Sequence, residues 1–183
     1  PLINALVRTG TQEEKEILFK SLISGDEKVL STKRGAKGET EYLAEQAVRN
    51  CVNARNRQNT ARDKALDEIN HYITTSGAID NQIIFVPLEK DFIDKNLTGL
   101  IAGRLAGEYK KPVLLGHEGS KTYAGSGRGN SRSDLKEFKS FLEEMNLFNY
   151  TEGHQNAFGV EIDIDKIDMF IRDSNSAFHD IDF

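Results

Sequence analysis

Two short segments concentrate residues able to grip an anion: Ala124–Gly129 (Ala-Gly-Ser-Gly-Arg-Gly) and Glu152–Gly159 (Glu-Gly-His-Gln-Asn-Ala-Phe-Gly). Each sets one donor side chain, Arg128 or His154, among glycines, whose missing Cβ lets a ligand come close to peptide N–H groups. A guanidinium in such a place suits bidentate phosphate binding. An imidazole there can donate to a phosphate oxygen or to charge developing in a transition state. Arg128 is expected at the mouth of a loop, Gly127–Ser133, between a strand and a helix. Ser126, Ser131 and Ser133 would add hydroxyls, and the helix N-terminus would add N–H groups that favour anions. Together the segments predict a phosphate-binding cleft. Singly, each also fits a plain glycine-rich turn with a surface arginine or a satisfied histidine.

The elements that must position these residues follow from hydrophobic period. A short helix is expected over 11–24, capped by Thr11, with Glu13, Glu14 and Glu16 in its first turns. A polar, glycine-bearing loop occupies 31–38. A long helix follows over about 39–75, its stripe carried by Leu43, Ala47, Cys51, Ala54, Ala61, Ala65, Ile69 and Tyr72. The polar middle of that helix, Asn53–Thr60, suits a connector between two packing units. Beyond Ser76-Gly77 the period changes. Gln82–Leu88, Pro112–Leu115, Thr122–Ser126 and Ala157–Ile164 read as strands. Leu97–Tyr109, Asp134–Met145 and Asp165–Asn175 read as helices, the second capped by Ser133. Gly99, Ala102, Gly103 and Ala106 would allow close packing on a sheet. The order β-α-β-β-α-β-α implies an α/β fold: a mixed β-sheet flanked by helices, preceded by a long connecting helix. The expected division is a helical segment, 1–76, and an α/β substrate-binding domain, 77–183.

Composition bounds the function. The chain has 183 residues, 38% of them hydrophobic and 29% charged, with a formal net charge of −5. No apolar run approaches the roughly 20 residues of a membrane span, and no signal peptide is visible. A cytoplasmic protein is therefore expected, with no membrane partner. The single cysteine, Cys51, excludes an internal disulfide and a cysteine-rich zinc site. Because the first residue is Pro1, the chain is expected to start inside a longer protein. Charge is unevenly spread: residues 49–64 hold five Lys/Arg and one acid, and 103–139 hold eight Lys/Arg and four acids. Local potential rather than total charge steers a polyanion, so nucleic acid stays open as a partner despite the negative sum. The acids of 160–183 have no EF-hand spacing and are read as a solvated edge. His71, His117 and His179 lack partners at ligand spacing, so no metal role is expected for them. Few aromatics lie near the motifs, Tyr123 and Phe158 being the candidates, so a base-stacking platform is not evident.

The residues of Leu97–Ile164 resemble the C-terminal, DHH-associated domain of RecJ-type single-strand-specific DNA exonucleases. Thr98–Ala106 looks like that family's helix before a Pro-Val strand, here Pro112-Val113. Ser126-Gly127-Arg128 is similar to its Ser-Gly-Arg, and Gly153-His154 with Ala157 and Gly159 to its Gly-Gly-His…Ala-Gly. Pro1–Arg8 resembles the stretch that follows the catalytic domain. Two departures stand out: Glu152 replaces a glycine, and Gly129–Ser133 differs from the usual continuation. The resemblance implies a metal-dependent phosphodiesterase with a part in DNA repair or recombination. Its Mn²⁺ or Mg²⁺ would be held by an upstream DHH domain, where metal-activated water attacks phosphorus; no Asp-His-His occurs in this chain, and no metal is expected in it. This part would supply the opposite wall of the cleft and be inactive alone. Ser126, Gly127, Arg128, Gly153 and His154 would bind phosphate, with His154 nearest the scissile group. Arg55, Arg57, Arg62 and Arg132 are possible further contacts, chosen on charge. The expected partners are single-stranded DNA, or RNA or short oligonucleotides, and the upstream domain. Two other readings stay open: a non-catalytic single-strand-binding module, and part of a phosphodiesterase for small oligonucleotides or cyclic dinucleotides.

Overall fold

The computed structural model describes residues 2–130 and 135–177. The chain packs as two compact units, 1–63 and 64–183. The C-terminal part of the long helix counts with the second unit, whereas the sequence reading drew its boundary at 76/77.

In the first unit, α1 (Leu2–Thr9) and α2 (Gln12–Ser21) precede a small hairpin, β1 (Lys28–Leu30) and β2 (Thr40–Tyr42), which leads into α3 (Leu43–Thr75). Helix α2 starts where the sequence places it. The Thr11 hydroxyl accepts from the Glu14 N–H, and the Glu14 carboxylate accepts from the Thr11 N–H, a reciprocal capping box. The hairpin is a correction, because the long helix was expected from residue 39. Thr40–Tyr42 instead pairs antiparallel with Lys28–Leu30. Its middle residue, Glu41, is buried and takes a two-pronged contact of 2.6 Å from Arg49. That guanidinium holds the Glu41 carboxyl down to about 2. The unit closes over Leu6, Leu18, Ala47, Cys51 and Ala54.

In the second unit, the end of α3 leads through a 3-10 turn (Ala78–Asp80) to a five-stranded sheet. Its strands are β3 (Ile84–Leu88), β4 (Val113–Glu118), β5 (Thr122–Arg128), β6 (Phe148–His154) and β7 (Ala157–Asp163), in the spatial order β3-β4-β5-β7-β6. The first pair is parallel, joined by α4 (Lys95–Tyr109); the other pairs are antiparallel. Alternation divides the sheet into two faces. One face packs Val86, Val113 and Leu115 against α4 and the end of α3. The other packs Phe85, Leu114, Phe158, Val160 and Ile162 against α5 (Phe138–Glu144) and α6 (Ile167–Ala177).

Strand β6 was not expected. Phe148–His154 carries only two large apolar side chains and runs along the sheet edge, so its period is weak. Helix α5 was expected from Asp134; among the described residues it begins at Phe138, and Glu137 makes no capping bond. The Ser133 cap lies outside the described residues.

Candidate phosphate-binding face

Strand register brings the two sequence motifs together. Arg128 on β5 pairs with Ala157 on β7, and Ala157 pairs with His154 on β6. The arginine and histidine therefore stand in one row, two strand spacings or about 10 Å apart. Directly opposed residues share a face of the sheet. The next row is Ser126, Gly159 and Glu152, and the one beyond it is Ala124, Glu161 and Tyr150. This is the face on which α4 lies, and α4 packs over its β3, β4 and β5 part. Ala157, Glu152 and His154 remain exposed. Gly127 and Arg128 thus close β5 rather than opening a loop, and Gly153-His154 closes β6. The expected loop positions are corrected to strand ends.

Arg128 is held by glycines of α4. A Cβ built on Gly99 would collide with the Arg128 Nη2 and come within 3.1 Å of its Cζ, while one on Gly103 would lie 4.0 Å from the Arg128 Cγ. The side chain therefore lies along a channel that these two glycines leave open. Its Nη1 donates to the carbonyls of Gly127, at 2.6 Å, and Phe158, at 3.4 Å. Among the described residues no carboxylate pairs with it, and burial alone pulls its pKa below the ordinary value. An arginine stays protonated in any protein environment. The result is a partly desolvated cation whose Nη2 lies against Gly99 of α4 and whose Nη1 is held by two backbone carbonyls.

His154 is fixed by the turn that follows it. Gln155 and Asn156 form a two-residue connection between β6 and β7. The Lys139 N–H donates to the Gln155 carbonyl at 2.9 Å, and the Ser140 N–H to the Gln155 side-chain oxygen at 3.2 Å. These are N–H groups at the start of α5 that lack intrahelical partners, and Gln155 satisfies them. The Gly129 N–H donates to the Asn156 carbonyl at 3.1 Å, tying the end of β5 to the same turn. Gly153 has φ +135°, a conformation that favours glycine, and a Cβ there would meet the Ala157 carbonyl at 2.8 Å.

The other expected residues divide. Ser126 joins the face, whereas Gly127 serves the opposite side: a Cβ on it would strike the Phe158 ring at 2.5 Å. Arg132 lies outside the described residues, as do Ser131, Ser133 and His179. Arg55, Arg57 and Arg62 ride on α3 in the first unit. Arg57 is committed to Glu14 at 2.8 Å and Arg62 to Asp63 at 2.7 Å, while Arg55 is exposed with no ion pair among the described residues. His117 is a core histidine, its Nε2 2.7 Å from the Thr98 hydroxyl, and burial lowers its pKa. Tyr123 and Phe158 belong to the α5–α6 side and cannot meet a strand lying beside Arg128. Tyr123 lines a hollow of about 560 Å³ there with Phe85 and Ile167.

Sequence reasoning missed three residues of this site. Gly99 and Gly103 read only as packing residues, because the arginine they accommodate is remote in sequence. Tyr150 was hidden inside the unrecognised strand β6. Alternation along that strand, with 150, 152 and 154 on one side, was the available signal. Among the described residues no group of three His, Cys, Asp or Glu side chains could hold a metal ion. Nor is any described helix long and apolar enough to cross a membrane.

Comparison with known proteins agrees with the resemblance read from the motifs. The chain is 38% identical over 187 residues to a Bacillus subtilis (strain 168) protein named "Putative SPbeta prophage-derived single-strand DNA-specific exonuclease YorK". It matches the "Putative single-strand DNA-specific exonuclease yorK" of Bacillus phage SPbeta equally well. The alignment takes in 99% of this chain but only 32% of either relative. The chain thus spans about a third of the length of these relatives. Among solved structures, RecJ of Thermus thermophilus in complex with Mg²⁺ superposes with a TM-score of 0.62 at 17% identity, covering 100% of this chain and 25% of that one. An exonuclease RecJ bound to manganese gives 0.61 at 16%, covering 97% and 38%. The fold is that of a part of RecJ. No protein-family model matches the sequence.

Proposed function

We propose that this chain is the nucleic-acid-binding part of a single-strand-specific DNA exonuclease of RecJ type. The observation that carries the reading is Arg128. It is a half-buried guanidinium without a carboxylate partner among the described residues, set in a glycine channel on a strand position in register with His154. A desolvated cation of this kind needs an anion, and a phosphodiester supplies one with matching bidentate geometry. The names of the relatives support single-stranded DNA as the polymer.

In this reading Arg128 holds a backbone or terminal phosphate. The Ser126 hydroxyl donates from the adjacent row, and His154 donates to a second phosphate oxygen nearest the bond to be cut. Gly153 lets the end of β6 lie close against β7 beside His154. Among the described residues no ligand set exists for the Mn²⁺ or Mg²⁺ that such hydrolysis requires. The metal is assigned to an upstream DHH domain of the whole protein, and no step is assigned to it here. A cytoplasmic setting and a part in DNA repair or recombination belong to the same reading.

The test is Arg128→Ala in the whole protein, with single-strand affinity read by fluorescence anisotropy. Loss of a charge-assisted bond is expected to weaken binding by about 1–3 kcal/mol. Wild-type affinity in this variant would remove the proposal.

A further inference from the structure

Next to the cationic row, the same face carries an aromatic side chain that the phosphate reading leaves unused. Tyr150 is 40% exposed on edge strand β6. An extra residue in β6 at Asn149 lets Phe148 oppose Ile162 and Tyr150 oppose Glu161. The irregularity keeps Phe148 on the α5–α6 side and puts Tyr150 on the open one. Its ring lies toward Gly159, the Tyr150 Cε2 being 3.8 Å from where a Cβ would stand. Partial burial, with Glu161 and Glu152 nearby, pushes the phenol above its usual pKa, so it stays neutral. Those two carboxylates disfavour a phosphate at this end of the face. A neutral nucleobase is not repelled, and its amino groups can donate to them, as the cytosine N4 amino group does to Glu.

We propose that Tyr150 is a nucleobase-stacking residue. The face is then divided, with phosphate taken by Arg128 and His154 and a base taken by Tyr150 between Glu152 and Glu161. Tyr150 and His154 are four residues apart on one strand, about 13 Å. That spans a phosphate and a base a nucleotide or two along. The proposal rests on the reading that this face takes single-stranded DNA, and it assigns the end of the face next to Glu152, one of the two departures from the resemblance.

The test is anisotropy with the whole protein in excess EDTA, using a labelled oligodeoxynucleotide and a matched strand of abasic sites. Tyr150→Ala is expected to weaken binding to the base-bearing strand by about 5- to 150-fold, the effect of losing one stacked base. Tyr150→Phe keeps the ring and should stay within about threefold of wild type by the same argument. On the abasic strand Tyr150→Ala and wild type should bind alike. The slope of affinity against salt should be unchanged in Tyr150→Ala but reduced by about one in Arg128→Ala. If Arg128→Ala loses affinity and Tyr150→Ala does not, the base assignment is overturned and the phosphate reading stands. If neither variant loses affinity, the phosphate reading fails as well. Should Tyr150→Ala fold poorly, the wild-type protein decides alone: equal affinity for abasic and base-bearing strands overturns the proposal.

Discussion

Gly99→Ala separates binding from stability, because the structure gives the two effects opposite signs. Gly99 lies inside α4, where glycine costs about 0.5–1 kcal/mol relative to alanine. A methyl there would overlap the Arg128 Nη2, with Cζ at 3.1 Å and the Ser126 Oγ at 3.5 Å. The helix is anchored by buried Thr98 and Ala102 on either side. The guanidinium is the free end of a flexible side chain, so it is the guanidinium that moves. Its displacement from the channel should forfeit the proposed charge-assisted phosphate contact, about 1–3 kcal/mol. That corresponds to a Kd about 5- to 150-fold weaker for single-stranded DNA. The helix gains propensity, so Tm should hold or rise by about 1–4 °C for a chain of this size. Gly103→Ala is the control, since its methyl would only touch the Arg128 Cγ at 4.0 Å. It should show the same Tm trend with Kd within about twofold of wild type, as an ordinary van der Waals contact implies. Anisotropy titration and a thermal melt on the three proteins suffice. Unchanged Kd in Gly99→Ala refutes the channel argument, and so does a weakened Kd accompanied by a Tm several degrees lower.

Other expectations concern both units. Arg49→Ala strands the buried Glu41 carboxylate and should destabilise the protein by about 3 kcal/mol, the lower end for a broken buried pair, because Arg49 itself keeps 24% exposure; chemical denaturation reads this directly. Glu41 titrates near 2 in the fold against a usual 4.5, so the stability it contributes is complete above 4.5 and is lost as pH falls toward 2. A pH series of melts should show a decline over that window, and the decline should shrink in Glu41→Gln. Gly127→Ala drives a methyl into the Phe158 ring at 2.5 Å and Leu114 at 3.0 Å and should cost about 1–3 kcal/mol by overpacking. On α3, Arg55→Ala should reduce the salt slope of single-strand binding by about one, while Arg57→Ala, whose guanidinium is engaged by Glu14, should reduce it less; equal slopes would show that the helix arginines do not follow the strand.

The long helix, the α4 crossover and the strands at 84–88, 113–118 and 157–163 were legible because their apolar residues keep a clean period. Strand β6 was not, since an edge strand with a bulge needs only Phe148 turned inward. The hairpin before α3 was hidden because its buried residue is Glu41, a polar side chain that only Arg49 makes tolerable. At the site, residue chemistry was readable and geometry was not. Arg128 and His154 could be named from their glycine surroundings, but their common row depends on the register of β5, β7 and β6. Gly99 owes its role to an arginine 29 positions on. A contact of that kind leaves no local mark.

The central claim is that Arg128 and His154 act on one phosphate from one face of the sheet. A double-mutant cycle tests it most directly, using single-strand affinities of wild type, Arg128→Ala, His154→Ala and the double variant. At a separation of about 10 Å, groups without a shared partner are additive within about 0.3–0.5 kcal/mol. A common phosphate predicts that the double variant loses less than the sum of the single ones, by at least about 0.5 kcal/mol. Strict additivity, or no loss in either single variant, would contradict it.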